Sequence, residues 1–285
     1  MMTVDPIPAL QSLGYTPREA TFLSIVAVYS GYFVRRQFDY FIDRSKGAIA
    51  KNFLAKAQVA GHIEVIEYPR GWRVYHLFSR LIYRLLDIPE SQNRHRKGDG
   101  AIRSRLITLD YVLENQNSEH FLTSAEEKLK FFGEHRHLNS GLYRDSSGDL
   151  YPVIKSSVIS LADRERPASS LVRFLFVEEG LLTLVKFQRI LAELEPLLCA
   201  LRNFELIYAS NSKGNFEQAG HEFWKRFARH TERSHGSSLS SARQRPRFDG
   251  TITTILYRFA YPPLSRHERR GSKQSSTSPE PTPSL

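Results

Sequence analysis

Three observations predict a mixed α+β chain in two unlike halves. Up to about residue 89, segments of helical period are followed by two short runs of period two around a Pro-Arg-Gly turn. From about residue 141 the period alternates between strand and helix, as in an α/β layer. The last residues, from about Pro262, are rich in Pro, Ser and Thr and read as a disordered basic tail.

The first strong element starts at Thr16-Pro17-Arg18-Glu19. Thr16 can cap a helix whose first residue is Pro17, and Glu19 completes an S/T-x-x-E box. The apolar stretch Ala20 to Tyr29 follows, and Ser30-Gly31 ends it. A second helix is expected from about Phe33 to Asp43, with Val34, Phe38, Phe41 and Ile42 on one face. Ser45 opens a third, running to about Gly61. Its apolar residues Ile49, Ala50, Phe53, Leu54 and Ala57 fall within an arc of about 140° at about 100° per residue. The opposite arc holds Ser45, Ala48, Lys51, Asn52 and Ala55, a small, polar and basic set without an acid, which suits close approach to DNA.

After Gly61 the period changes. Ile63 to Tyr68 and Arg73 to Phe78 read as the strands of a hairpin around Pro69-Arg70-Gly71-Trp72, and a short helix follows from Ser79 to about Asp87. Three helices, a hairpin and a closing helix in this order describe a winged helix-turn-helix over residues 1–89. From Arg44 to Arg84 eight basic residues stand against two acids, Glu64 and Glu67. The residues expected at DNA are Ser45, Lys46, Lys51, Asn52 and Lys56 on the third helix, with Lys51 and Asn52 at base edges. Arg70 and Arg73 at the hairpin tip would meet phosphates or the neighbouring minor groove.

Composition points the same way. The 285 residues carry 40 Lys+Arg and 30 Asp+Glu, a formal charge of +10, which favours polyanionic partners. A lone cysteine, Cys199, excludes an internal disulfide framework and a Cys-rich zinc site. No run approaches the ~18 apolar residues of a membrane span, and the opening Met1 to Pro6 shows no secretory signal, so a cytoplasmic protein is expected. No cofactor and no small-molecule substrate are expected. The partners expected are double-stranded DNA and, for oligomerisation, a second copy of the chain.

Residues 90–140 read as a basic linker (Arg94, His95, Arg96, Lys97) followed by two bridging helices, about Ala101 to Glu114 and Thr123-Ser124 to Phe132, the latter with a second capping box at Ser124 and Glu127. An α/β domain is expected over 141–262. Its strands are Leu150 to Ile154, Val158 to Leu161, Leu171 to Val177, Phe204 to Tyr208 and Thr251 to Phe259. Its helices are Thr183 to Asn203, broken or kinked at Pro196, and Asn215 to about Thr231. Residues 230–248 read as a loose Ser/Arg/His-rich excursion, and 263–285 as the tail.

The runs Leu13-Gly14-Tyr15-Thr16-Pro17-Arg18-Glu19-Ala20 and Ser30 to Phe38, with the strand ending Phe176-Val177-Glu178-Glu179-Gly180 and the later Phe204 to Ala209, resemble winged-helix proteins of the replication-relaxation type. These are encoded by bacterial plasmids and integrative mobile elements. The resemblance spans roughly residues 10 to 225. It implies a restriction-endonuclease-like topology for the second half, and DNA binding in replication, mobilisation or transcriptional regulation of such an element.

That topology raises the alternative of a metal-dependent nuclease. Asp149 or Asp163 would be the first acid and Glu178 or Glu179 the second, yet the lysine expected two positions later is absent: Gly180 and Leu181 stand there. Glu178-Glu179 reads more simply as a solvated strand end, so no catalytic residue is assigned. No His spacing suits a metal, His135 and His137 read as loop residues, and His221 and Glu222 as surface residues. Cys199 reads as a buried, inert thiol, and Phe216, Phe223, Trp224 and Phe227 as core. A further alternative is a protein-interaction adaptor whose winged helix does not touch DNA.

Overall fold

Capping boxes start two of the helices, and the strands close one small sheet and one larger sheet on either side of a shared helix. The structure, a computed structural model, describes residues 6–43, 47–178, 184–201, 203–232 and 249–256. After a short α1 (Pro6–Gln11), α2 (Pro17–Tyr29) starts at the Thr16 box: the Thr16 amide donates to Glu19 Oε2 at 2.8 Å, and the Glu19 amide to Thr16 Oγ1 at 3.4 Å. Tyr32 and Phe33 form a two-residue strand, β1, so the next helix, α3 (Arg35–Phe41), starts two residues later than the sequence suggests. Phe33 is withdrawn from the helix by pairing with Tyr75.

Then come α4 (Ile49–Val59), β2 (Ile63–Tyr68), a 3-10 turn at Pro69–Gly71, β3 (Trp72–Leu77) and α5 (Arg80–Leu85). The strands form an antiparallel sheet in the order β1-β3-β2. Phe22 of α2 meets Phe33, Phe38, Phe41 and Phe53 at 5.0 to 6.0 Å between ring centres, and Phe38 stacks on Phe53 at 4.2 Å. This aromatic knot, with Ala50, Leu54 and Ala57, fixes α2, α3 and α4 to one another.

The second half continues with α6 (Asp99–Asn115), β4 (His120–Leu122), α7 (Ala125–Lys130) running into a π turn at Phe131–His135, α8 (Pro152–Ser156), β5 (Val158–Leu161), β6 (Val172–Val177), α9 (Val185–Ala200), β7 (Asn203–Ser210), α10 (Phe216–Glu232) and β8 (Asp249–Leu256). The five-stranded sheet runs β4-β5-β6-β7-β8, antiparallel as far as β6 and parallel from β6 to β8. Alternation sorts its two faces. Phe174, Phe176, Leu206 and Tyr208 pack against α9 and α10, while Leu175, Val177, Ile207 and Ala209 face α6.

Three sequence expectations are corrected here. Leu150 to Ile154 is not a strand: Pro152 occupies the first position of α8, where its missing N–H costs nothing, and only Leu150 makes an isolated bridge to Arg144. Pro196 does not break its helix, and α9 runs through it with Leu191, Leu194, Leu197 and Leu198 all buried along one stripe. Trp224 is exposed, while Phe223 and Phe227 are buried as expected. The 230–248 excursion from residue 233 and the tail lie outside the described residues.

The largest departure concerns α6. The helix expected to bridge two domains is buried on nearly every side. Leu109 and Leu113 join the core around α2, while Ile102, Leu106, Ile107, Tyr111 and Val112 fill the space between the three-stranded sheet (Tyr32, Val34, Val74) and the five-stranded one (Ile207, Ala209). An all-round apolar helix is a core helix. Its buried acid, Asp110, receives the Arg36 guanidinium through Nη1 at 2.9 Å and Nη2 at 2.8 Å, and Gln37 Nε2 at 2.8 Å. Gln37 Nε2 also donates to the Leu106 carbonyl, and Gln37 Oε1 accepts the Val34 amide. Asp110→Ala is expected to destabilise the protein by about 2 kcal/mol in urea unfolding, because it takes the carboxylate away from both the partly buried Arg36 fork and the buried Gln37 amide. Arg35→Ala, which removes only the exposed Arg35–Asp39 pair, should cost at most about 0.5 kcal/mol. Equal losses would contradict this assignment.

Candidate nucleic-acid interface

The exposed face of α4 is set by what the helix buries. With Ala50, Phe53, Leu54 and Ala57 in the core, Ala48, Lys51, Asn52, Ala55, Gln58 and Val59 are left in solvent, Val59 91% exposed. No acid occurs in the helix. Ile49, expected on the buried arc, is 44% exposed at the first turn. Lys51 and Gln58 are seven residues apart and so share one line along the helix. Gln58 follows from that helical spacing alone, since a neutral amide adds nothing to the basic pattern of the helix. Ser45 and Lys46 lie outside the described residues.

Lys56 sits elsewhere. Its ammonium is paired with the Glu19 carboxylate, donates to the Gly14 carbonyl at 3.0 Å and lies 4.9 Å from the centre of the Tyr15 ring. It therefore ties α4 to the capping box of α2 instead of joining the open face. Beneath it, the Tyr15 hydroxyl pairs with His62 Nδ1 at 2.8 Å, and burial pushes the His62 pKa down, which keeps this ring neutral. Gly61, at φ +66°, supplies the left-handed turn from α4 into that histidine.

At the hairpin tip Arg70 is exposed and holds φ +65°, with Gly71 following at +75°. Two consecutive positive φ values make a tight reversal with Arg70 at its tip. Arg73 lies on the stem, where Nε and Nη2 reach Glu67 Oε1 at 3.1 and 3.0 Å. Its charge is therefore partly neutralised, while Arg70 stands exposed at the tip.

The expected basic linker is a packed strap. Asn93 is buried and its amide donates to the carbonyls of Ala27 (3.0 Å) and Val28 (2.8 Å) at the end of α2. A Cβ on Gly31 would lie 2.1 Å from the Asn93 carbonyl oxygen, so that position needs glycine both for space and for its φ of +76°. Arg96 grips Glu64 with two 2.8 Å bonds, and His76 Nδ1 donates to the same carboxylate at 2.9 Å while its ring stacks on Tyr32 at 4.3 Å. The Lys97 amide donates to the Tyr32 hydroxyl. Arg96 stays exposed with its charge paired to Glu64 of β2, and the expectation that this segment is an exposed linker is overturned for Asn93.

Of the acids of the nuclease alternative, Asp163 and Glu178 are not brought together. Asp163 follows the end of β5, which pairs with the start of β6 (Leu161 with Val172), and Glu178 follows the end of β6. Six strand residues separate them, about 20 Å at about 3.3 Å each. Asp163 is held by Arg166 and by nearby amides, and Asp149 sits exposed in a turn closed by Asp145. Glu178 is buried, not solvated, and accepts from Ser210 Oγ at 2.5 Å. Glu179 lies outside the described residues. Among the described residues no group of three or more His, Cys, Asp or Glu could hold a metal ion. Cys199 is half-buried, and burial together with Glu195 pushes its thiol up to about 11, so it is protonated at neutral pH. His221 and Glu222 line a shallow groove between α9 and α10.

Compared with protein-family models, with curated proteins and with solved structures, the chain matches none. Among the described residues no helix is long and apolar enough to cross a membrane.

The Glu64 carboxylate is held down to about 2, chiefly by Arg96 and then by His76. A depressed acid contributes stability above its unfolded value, near 4.5, that is lost as pH falls toward 2. Unfolding measured across that window should show the wild type losing stability faster than Glu64→Gln. Parallel curves would mean that the strap is not held by this charge.

Proposed function

We propose that residues 6–88 are a winged helix-turn-helix that binds duplex DNA, with the exposed face of α4 in the major groove and Arg70 at the backbone. The observation that carries the reading is the acid-free, small-residue face Ala48, Lys51, Asn52, Ala55, Gln58, together with an exposed arginine, Arg70, at the tip of the hairpin. Support for the fold class comes from the element order α2-β1-α3-α4-β2-β3 with sheet order β1-β3-β2. In such an arrangement the third helix is the reading helix and the β2–β3 hairpin the wing. Lys51, Asn52 and Gln58 are donors of the kind that pair with guanine and adenine edges, and Val59 offers a methyl contact for thymine. For the second half we propose a restriction-endonuclease-like relative in which Asp163 and Glu178 are held apart, serving oligomer or partner contacts. A cytoplasmic role in replication, mobilisation or regulation of a plasmid or mobile element rests on the resemblance of the Leu13 to Ala20 and Ser30 to Phe38 runs.

Binding measured on one preferred duplex and on scrambled duplexes, over a salt series, tests the reading. Lys51→Ala, Asn52→Ala and Gln58→Ala should each erode the preference by about 1–3 kcal/mol per lost base contact. Arg70→Ala should weaken all duplexes alike and flatten the salt slope by about one, and Arg73→Ala should do less because Glu67 already offsets it. Lys56→Ala should lower thermal stability and leave sequence preference intact. Unchanged affinity in the α4 and Arg70 variants would overturn the reading.

A further inference from the structure

Among the described residues the two sheets end in four edge strands, β1, β2, β4 and β8. An edge offers unpaired N–H and C=O groups to any other chain, and proteins guard it with short strands, charges, bulges or proline. Three of the four are guarded in this way. β1 has two residues and β4 three, while β2 carries Glu64 and Glu67, with Arg96 held against the first. β8 is not. It is eight residues long and pairs with β7 residue for residue, without a bulge. Residues 250–256 of it include no charge and no proline, and five of these seven are Thr or Ile.

An exposed tryptophan stands on the same side. α10 leads from β7 to β8, and its Phe223 and Phe227 share a core with Ile252 of β8. Arg226 of α10 pairs with Glu195 of α9 at 2.6 Å, so that flank of α10 faces α9. Trp224 comes two residues earlier, about 200° around the helix, and so lies on the opposite flank, toward the outer side of β8. It is 48% exposed. A large aromatic beside an unguarded edge is the kind of residue that anchors an interface.

We propose that β8 is the interface with a second copy of this chain: the two β8 strands pair antiparallel about a two-fold axis, joining the two five-stranded sheets, with the Trp224 side chains over the junction. Charge argues for a second copy as the occupant. A two-fold axis sets a strand against its own sequence, so a charge in it would meet its like, and residues 250–256 hold none. The extent is sufficient as well. An edge about 26 Å long, with one layer of side chains on each face and Trp224 added, comes to about 700 Å² per copy, close to the ~800 Å² of a standard interface. The proposal rests on the reading of the second half as a site of oligomer contacts, and it does not depend on DNA binding by α4.

Sedimentation of the full chain over a range of concentrations, joined with amide hydrogen exchange at β8, tests it. The wild type is expected to be a dimer in which the outward amides of β8 are protected. Thr251→Lys/Thr254→Lys, at two exposed positions of the strand, should give a folded monomer. Trp224→Ala should weaken the dimer by about thirtyfold, the scale of one interface anchor. A wild type that stays monomeric at every concentration would overturn both this proposal and the oligomer role of the second half. A dimer that survives Thr251→Lys/Thr254→Lys would overturn the β8 interface alone. Outward β8 amides that exchange freely in the wild-type dimer would overturn it too, whether or not the lysine variant folds.

Discussion

The fold depends on the burial of α6 between two sheets. A helix that must be apolar on nearly every side cannot be amphipathic, and this one spends its buried polar capacity on a few directed bonds. Asp110 is the most consequential of them. One carboxylate receives both arms of Arg36 and the amide of Gln37, so neighbouring residues at the start of α3 are fixed in depth and rotation against α6. Burial of the surrounding leucines and isoleucines supplies the free energy, and the Asp110 fork supplies the register.

From that anchor the order propagates toward the exposed face. α3 carries Phe38, which stacks on Phe53 of α4, so the rotation of α4 follows from that of α3. The hairpin is held separately, by the Glu64 carboxylate that binds Arg96 and His76 and by the Asn93 amide that locks the strap to the end of α2. Lys56 adds a third tie, from α4 to the cap of α2. The face that carries Lys51, Asn52 and Gln58 therefore rests on ties that do not include its own side chains. A recognition surface on a rigid scaffold is the arrangement that lets a few side chains carry specificity.

Much of the local structure was legible. The Thr16–Glu19 and Ser124–Glu127 boxes both form as spaced, because a capping box is a contact among four adjacent residues and needs no distant partner. The hairpin and the strand Leu171 to Val177 were readable from period two. Contacts set by distant residues were not. Arg96 looked like a linker cation because its partner Glu64 is thirty-two residues away. Lys56 looked like a surface cation because Glu19 lies across the fold. Tyr32-Phe33 is too short to show a strand period, and Leu150 to Ile154 had strand composition but a proline placed to start a helix. At the candidate site, Lys51, Asn52 and Arg70 were identified from helical phase and turn chemistry. Gln58 required weighing an uncharged residue by its position alone. The separation of Asp163 from Glu178 follows from strand direction, which periodicity does not encode.

The central claim, that the acid-free face of α4 reads DNA sequence, is tested most directly by selection from a random duplex library at about 150 mM salt, where non-specific phosphate contacts are weakened. The account predicts an enriched motif, whose symmetry would also report whether one or two copies of the chain bind. Salt-sensitive binding with no enriched motif would contradict it and leave a basic protein that holds DNA without reading it.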